Sequence, residues 1–223
     1  SDKSPNRALN FLACIGNTAT VRGGDARGDT GTVTGKHGGI NHVLIDFPQT
    51  TLEELAIGDS IQVRAKGQGL KLTDHPEVQV TSMSPALLDA LPLEELEDGL
   101  RIPVTHVLPA AVMGSGVGPS ESFTGDCDLQ LSDRAVIEDH GTDNLRLGDL
   151  VAITDADHTY GRVYKKGAVT VGCVIHSCCV QAGHGPGLTT LMTSKEGLID
   201  PVQSDEANIG RYLGVGRYRS DGA

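Results

Sequence analysis

The distribution of apolar residues along the chain predicts many short strands. Residues 168–175 form a nearly continuous apolar run, which is the pattern of a strand buried on both faces. Residues 126–131 alternate between polar and apolar positions, as a half-buried strand does. Shorter strands are predicted on both sides of Gly16 within residues 10–21, and at residues 43–47. A Gly-Asp turn followed by a strand is predicted at residues 58–64, and the same pattern recurs at residues 147–153.

Only a few short helices are predicted between these strands. Ser84 followed by Pro85 is a strong helix start, because serine caps the helix and proline fits its first position. Two more helices are predicted at residues 132–140 and 204–213. The pattern as a whole predicts an all-β or a β-rich α+β fold with a few short helices.

Composition shifts divide the chain into three parts. Residues 21–33 resemble the strand–turn–strand KOW motif of small SH3-like barrels, so residues 1–83 are interpreted as an SH3/KOW-like β subdomain. Pro92 and the acidic run that follows it place a helical linker at residues 84–99. Residues 100–223 are then a β-rich domain, and this domain carries the candidate site.

Charge and cysteine content narrow the classes of function. The net charge of −11 repels a phosphate backbone, which disfavours nucleic-acid binding. No apolar run is long enough to cross a bilayer, and no signal-like segment starts the chain. The five cysteines are odd in number and form no CxxC pair, which argues against a disulfide framework or a structural zinc knot. A cytoplasmic protein without membrane association is therefore expected.

Asp126 and Asp128 are candidate ligands of a divalent metal ion. In a strand their carboxylates project from the same face, where two negative charges repel each other. A divalent cation relieves this repulsion with oxygen ligands. The alternative interpretation is a solvent-exposed polar face. The cofactor is otherwise unknown from the sequence.

The end of the long apolar run carries the candidate catalytic residues. His176 closes a strand that is otherwise free of large polar side chains, and Cys179 and His184 follow in the next loop. Groups that transfer protons or attack carbonyls seldom collect at such a position without a role. A buried structural histidine is the alternative for His176. A Cys–His or Ser–His nucleophile pair would need no metal.

Two glycine-rich loops, at residues 113–120 and 182–187, are candidate substrate-binding elements. Their backbone amides are able to approach an anion or an oxyanion closely. Residues 35–42 are predicted to form a further loop, in which His37 and His42 flank a Gly-Gly pair and are assigned to the same role. The substrate-binding residues taken from the first glycine loop are Gly114, Ser115, Gly116 and Gly118.

Several motifs in order along the chain resemble one family. They include Cys14-Ile-Gly-Asn17, Gly35-Lys-His-Gly-Gly-Ile-Asn-His-Val43, Met113-Gly-Ser-Gly-Val-Gly118, Asp126-Cys-Asp128 and His176-Ser-Cys-Cys-Val180. The resemblance is to the bacterial and archaeal family called domain of unknown function 4438, and it covers nearly the whole chain. It implies a β-rich protein of small barrel-like subdomains without an established reaction. It also implies a further N-terminal β-rich segment, so an N-terminal partner chain or a homo-oligomer is expected to cover an apolar patch near residues 8–15.

Three classes of function follow from these observations. The leading hypothesis is a hydrolase-like enzyme that acts on a small amide, lactam or related carbonyl substrate with the assistance of a metal. The alternatives are a KOW-like binding module and a subunit of a heteromeric complex completed by an N-terminal partner chain. The sequence does not identify the substrate, the metal or the oligomeric state.

Overall fold

A four-stranded antiparallel sheet forms the first part of the chain. The computed structural model describes residues 3–38, 42–116, 122–130, 133–177 and 184–220. The sheet has the order β3-β2-β1-β4, and its inward-facing side chains pack around Phe47. Its elements, with the two helices beside it, are α1 (Lys3–Leu12), β1 (Thr18–Val21), β2 (Thr30–His37), β3 (His42–Asp46), α2 (Gln49–Glu54) and β4 (Ile61–Val63).

A larger seven-stranded sheet forms the centre of the molecule. Its order is β8-β11-β12-β13-β10-β9, and β5 pairs with β13 beside this path. All its pairs are antiparallel except β8 with β11. The strands are β5 (Gln79–Val80), β8 (His106–Pro109), β9 (Met113–Gly116), β10 (Cys127–Leu129), β11 (Leu150–Asp157), β12 (Val163–His176) and β13 (Gly187–Ser194).

The remaining described elements are a three-stranded sheet, three short α-helices, and 3₁₀-helices at Ala110–Val112, Thr142–Asn144 and Gly216–Tyr218. The sheet has the order β14-β7-β6, with β14 parallel to β7. The elements are α3 (Pro85–Ala90), β6 (Glu94–Leu96), β7 (Gly99–Val104), α4 (Arg134–His140), β14 (Ile199–Gln203) and α5 (Ile209–Leu213). The β-rich α+β class with barrel-like sheets is therefore confirmed.

Local signals placed some elements correctly. Ser84 caps α3, since its side chain accepts a hydrogen bond from the Leu87 amide and Pro85 opens the helix. Asp133 caps α4, and Gly141 ends it in the left-handed region at φ 61°. Every residue from Ala168 to Ile175 is buried, as the apolar run predicts.

Other predictions of local structure were wrong. Residues 10–12 belong to α1, although an apolar pattern placed a strand there. The predicted loop at residues 35–42 is partly strand, since β2 continues to His37 and pairs with His42 at the start of β3. Part of the predicted helical linker is a strand, β6, which pairs with β7. Its acidic sequence does not indicate this pairing. The last helix covers only residues 209–213 of the expected 204–213.

The largest core joins the first part of the chain to the central sheet. Ile15, Met83 and Leu87 pack in one cluster with Val171 and Leu191, all fully buried. Burial of such side chains is worth about 1.5–3 kcal/mol each, so this cluster holds the two parts together. Among the described residues, no helix has the length and apolar character needed to cross a membrane. The packing brings the end of β2 against β12 and β13, where the candidate site lies.

Candidate functional site

Strand ends from three parts of the chain meet at one place. His37 is the last residue of β2, and His176 is the last residue of β12. In the sheet register His176 and Asp128 both lie opposite Gly187, at the start of β13. Cys127 lies opposite Gly116 of β9, so the first glycine loop borders the same place. The sheet therefore gathers polar side chains where its buried strands end.

Asp126 and Asp128 are buried, each only 5% exposed. This contradicts the interpretation of the pair as a solvent-exposed polar face. The Gly38 amide donates a hydrogen bond to Asp126 Oδ1 at 2.6 Å. The other oxygen, Oδ2, lies 3.0 Å from His176 Nε2. A buried carboxylate is stable only when it is paired in this way or coordinates a metal.

His176 bridges the two carboxylates. Its Nε2 lies 3.0 Å from Asp126 Oδ2 and 3.3 Å from Asp128 Oδ1. Its Nδ1 donates to the Ser177 carbonyl at 2.8 Å, which leaves Nε2 for the carboxylates. The hydrogen bond with Asp126 raises the pKa of His176 to about 9, against the opposing effect of partial burial. Without a metal the imidazole is therefore held as a cation between the two acids.

Asp128 also contacts His184 and Ser115. His184 Nδ1 lies 2.8 Å from Asp128 Oδ2, and Ser115 Oγ donates to the same oxygen at 2.9 Å. Ser115 Oγ lies 3.1 Å from His184 Nδ1. In a serine–histidine–aspartate triad the serine and the aspartate bind opposite nitrogens of the imidazole. Here the shortest contacts of both are with Nδ1, and Ser115 Oγ lies farther from Nε2, at 3.4 Å. Ser115 Oγ also donates to Asp128, so it serves the carboxylate and is not arranged as a triad serine.

His37 completes a set of three potential metal ligands. Its ring meets the His176 ring edge-on, with centroids 4.7 Å apart. The ligand atoms of His37, Asp126 and His176 all lie within 4.8 Å of one another. Two imidazoles and one carboxylate form a common protein ligand set of catalytic zinc.

Gly187 keeps the space beside these atoms open. A Cβ at this position would collide with Asp126 Oδ2 and with His176 Nε2. Any larger residue would thus displace the two side chains from each other. The glycine at the start of β13 therefore allows the Asp126 and His176 side chains to meet beside it.

Most of the residues selected from the sequence lie at this cluster. His37, Asp126, Asp128, His176 and His184 converge there, together with Ser115 between Gly114 and Gly116 in β9. His42 lies opposite His37 in the hairpin and is exposed. Cys179 and Gly118 lie outside the described residues.

The set of potential metal ligands overlaps only in part with the pair that the sequence suggested for a metal. His37, assigned to substrate binding, lies among the potential metal ligands, and so does His176, assigned to catalysis. Asp128, assigned to the metal, lies beyond this set and contacts His184. Sequence reasoning overlooked Lys36, which is fully buried and donates from Nζ to the Phe123 carbonyl at 2.7 Å. Burial lowers the pKa of Lys36 to about 8.

Comparison with known families agrees with the motifs. The family model "Domain of unknown function (DUF4438), N-terminal" matches residues 1–89, and the C-terminal model of the same family matches residues 90–213. The chain belongs to the DUF4438 family. A crystal structure described as that of TM1086 is 48% identical, with a TM-score of 0.89, and the match covers 95% of this chain and 74% of that one. No curated protein matches the chain.

The candidate site spans both DUF4438 domains. His37 belongs to the N-terminal match, whereas Asp126, Asp128, His176 and His184 belong to the C-terminal match. The cluster therefore depends on how the two domains pack, and neither domain alone contains all of its residues.

Proposed function

We propose that this DUF4438 protein is a metal-assisted hydrolase that acts on a small amide, lactam or related carbonyl substrate. One observation carries the proposal. Two buried carboxylates and three imidazoles converge at the ends of buried strands, within contact distances of 2.8–3.3 Å for the Asp–His pairs. Such a concentration of titratable groups is costly for folding and is typical of catalytic sites.

The arrangement favours a divalent transition metal at His37, Asp126 and His176. Imidazole and carboxylate ligands together suit zinc and similar ions better than the all-oxygen sites of calcium or magnesium. The hydrogen bond from His176 Nδ1 to the Ser177 carbonyl supports this assignment, because metal-binding histidines usually donate their other N–H to such an acceptor. The metal would supply a Lewis acid and lower the pKa of a bound water.

Asp128 and His184 are suited to proton transfer beside this ligand set. The carboxylate of Asp128 lies 3.3 Å from His176 Nε2 and 2.8 Å from His184 Nδ1. Asp128 thus lies next to a ligand atom of the three-residue set without belonging to that set. A carboxylate in that position is able to accept a proton from a nucleophilic water and pass it to the partly exposed His184 imidazole. Ser115 orients the same carboxylate oxygen.

Metal analysis tests the proposal directly. The purified protein is loaded with zinc or manganese, dialysed, and measured by elemental analysis beside Asp126→Asn. We expect about one ion per chain in the wild type and strong depletion in the variant, since an amide oxygen is a weak ligand. Asp74→Asn, at an exposed carboxylate elsewhere, is the matched control and should load fully. A wild-type protein that retains no ion at millimolar metal would contradict the metal-assisted reaction.

We also propose that a partner chain or a second copy covers α1, and that the protein acts in the cytoplasm. Leu9, Phe11 and Leu12 are 42–48% exposed, whereas Asn10 of the same helix is fully buried. An apolar helix face turned outward is typical of an interface. Light scattering combined with intact-mass measurement tests this, and a clean monomer at high concentration would count against it.

A further inference from the structure

The fully buried Lys36 joins the end of β2 to the segment that leads into β10. Its Nζ donates to the carbonyl oxygen of Phe123 at 2.7 Å. Lysine is almost never fully buried unless its ammonium group is paired, because loss of hydration is unfavourable. The same hydrogen bond satisfies a backbone carbonyl only three positions before Asp126.

The backbone of Lys36 is fixed at the same time. Thr189 Oγ1 accepts from the Lys36 amide at 3.2 Å and donates to the Lys36 carbonyl at 3.1 Å. Thr189 is fully buried in β13. One threonine hydroxyl therefore holds both backbone polar groups of the residue that precedes His37.

Two glycines close the contact on the other side of His37. A Cβ at Gly38 would lie 3.0 Å from the Cα of Gly125, and a Cβ at Gly125 would lie 3.2 Å from the Cα of Gly38. Both distances are shorter than ordinary contacts of a Cβ. The Gly38 amide is thereby close enough to donate to Asp126 Oδ1 at 2.6 Å.

We infer that Lys36 is a positioning residue, which locks segment 122–126 onto the end of β2 and so sets the spacing between His37 and Asp126. The inference rests on the proposed metal function. These two ligands come from different family domains, and no regular strand pairing links them. The Lys36 ammonium, the Thr189 hydroxyl and the Gly38–Gly125 contact form the link instead. We call these four residues the Lys36 clamp.

Cobalt(II) is the probe that tests this role, because its visible absorption reports the number and geometry of its ligands. Lys36→Met keeps the length and burial of the side chain but removes the hydrogen bond. We expect a cobalt Kd at least tenfold weaker and altered d–d bands, with the far-ultraviolet circular dichroism unchanged. Lys165→Met, at an exposed lysine, is the matched control and should behave as wild type.

Gly125→Ala provides a second variant that leaves the lysine in place. Its methyl group should push Gly38 away by a few tenths of an ångström and weaken cobalt binding in the same direction. Gly23→Ala is its control, because a Cβ there would meet nothing within 4 Å.

The outcomes distinguish the role of Lys36 from the existence of the metal site itself. The role of Lys36 is supported if the wild type binds cobalt and if both clamp variants bind it more weakly and with altered absorption bands. If Gly125→Ala and folded Lys36→Met both keep the wild-type cobalt affinity and spectrum, the role of Lys36 is wrong, whereas the proposed metal site is not affected. If Lys36→Met fails to fold, the Gly125→Ala result alone decides between these outcomes. Absence of cobalt uptake by the wild type would overturn both.

Discussion

His176 Nε2 lies 3.0 Å from Asp126 Oδ2, although 50 positions separate the two residues in the chain. The contact joins the last residue of β12 to the residue just before β10, on either side of β13. Both side chains are largely buried, so the strand pairing of the sheet fixes their contact. This pair is the centre from which the other contacts of the site extend.

The two carboxylates should respond differently to the same substitution. Asp126→Asn removes one of the three clustered ligands. Metal affinity should therefore fall by more than the roughly 10- to 100-fold loss that is typical when a residue hydrogen-bonded to a metal ligand is replaced. Asp128→Asn should leave metal content nearly intact but reduce turnover by about 100-fold or more, because proton transfer is lost. Elemental analysis and steady-state kinetics on the same samples distinguish the two effects. Equal loss of metal in both variants would place Asp128 among the ligands.

Gly187→Ala tests the space beside the ligand atoms. Its methyl group would collide with Asp126 Oδ2 and His176 Nε2, so we expect the two side chains to separate and metal affinity to fall by about tenfold or more. A chelator-competition titration measures the affinity, and a thermal melt checks the fold. Gly23→Ala again serves as the control substitution. Unchanged affinity in Gly187→Ala would show that the metal lies elsewhere.

Local sequence signals correctly predicted those elements that are determined by residues close together in the sequence. The buried run from Ala168 to Ile175 needs only its apolar composition to indicate a central strand. Ser84 and Pro85 specify the start of α3 through their own side chains. Convergence of Asp126 and His176 has a different origin, because it depends on the register in which β10 and β12 pair with β13.

The missed features depend on partners that are distant in sequence. Lys36 becomes buried through a carbonyl 87 positions away, and no local pattern indicates that bond. His37 becomes a potential ligand only because β2 packs against β12 and β13. The strand predicted at residues 10–12 was wrong because the short apolar run that begins at Phe11 is compatible with either a strand or the end of a helix.

Cys179→Ser distinguishes metal-assisted hydrolysis from a thiol nucleophile. If the metal activates water, the variant should keep its turnover within about threefold, since serine removes only the thiolate. Cys14, Cys127 and Cys173 are fully buried, and burial raises the pKa of each thiol, so alkylation of the native protein should spare them. Complete inactivation of the variant, together with alkylation at Cys179 that is blocked by substrate, would favour the nucleophile instead.

His158 should make the stability of the protein depend on pH. Its imidazole is buried, with Nδ1 2.9 Å from Thr190 Oγ1 and Nε2 3.4 Å from Met113 Sδ. Burial lowers the pKa of His158 to about 4, with Asp157 opposing this effect and Arg162 adding to it. The unfolded chain titrates near the ordinary value of 6.5, so between these two values it binds more protons than the folded chain does.

The stabilisation by neutral His158 is therefore complete above about pH 6.5 and is lost as the pH falls toward 4. We expect the free energy of unfolding to drop by about 2 kcal/mol from this group between pH 7.5 and pH 5. Urea titrations at the two pH values measure it, and His158→Gln should reduce the difference by that amount, because glutamine binds no proton in this range. His75→Gln, at a half-buried loop histidine, should keep the wild-type difference. If His158→Gln and wild type lose equal stability on acidification, proton uptake by another group controls the transition.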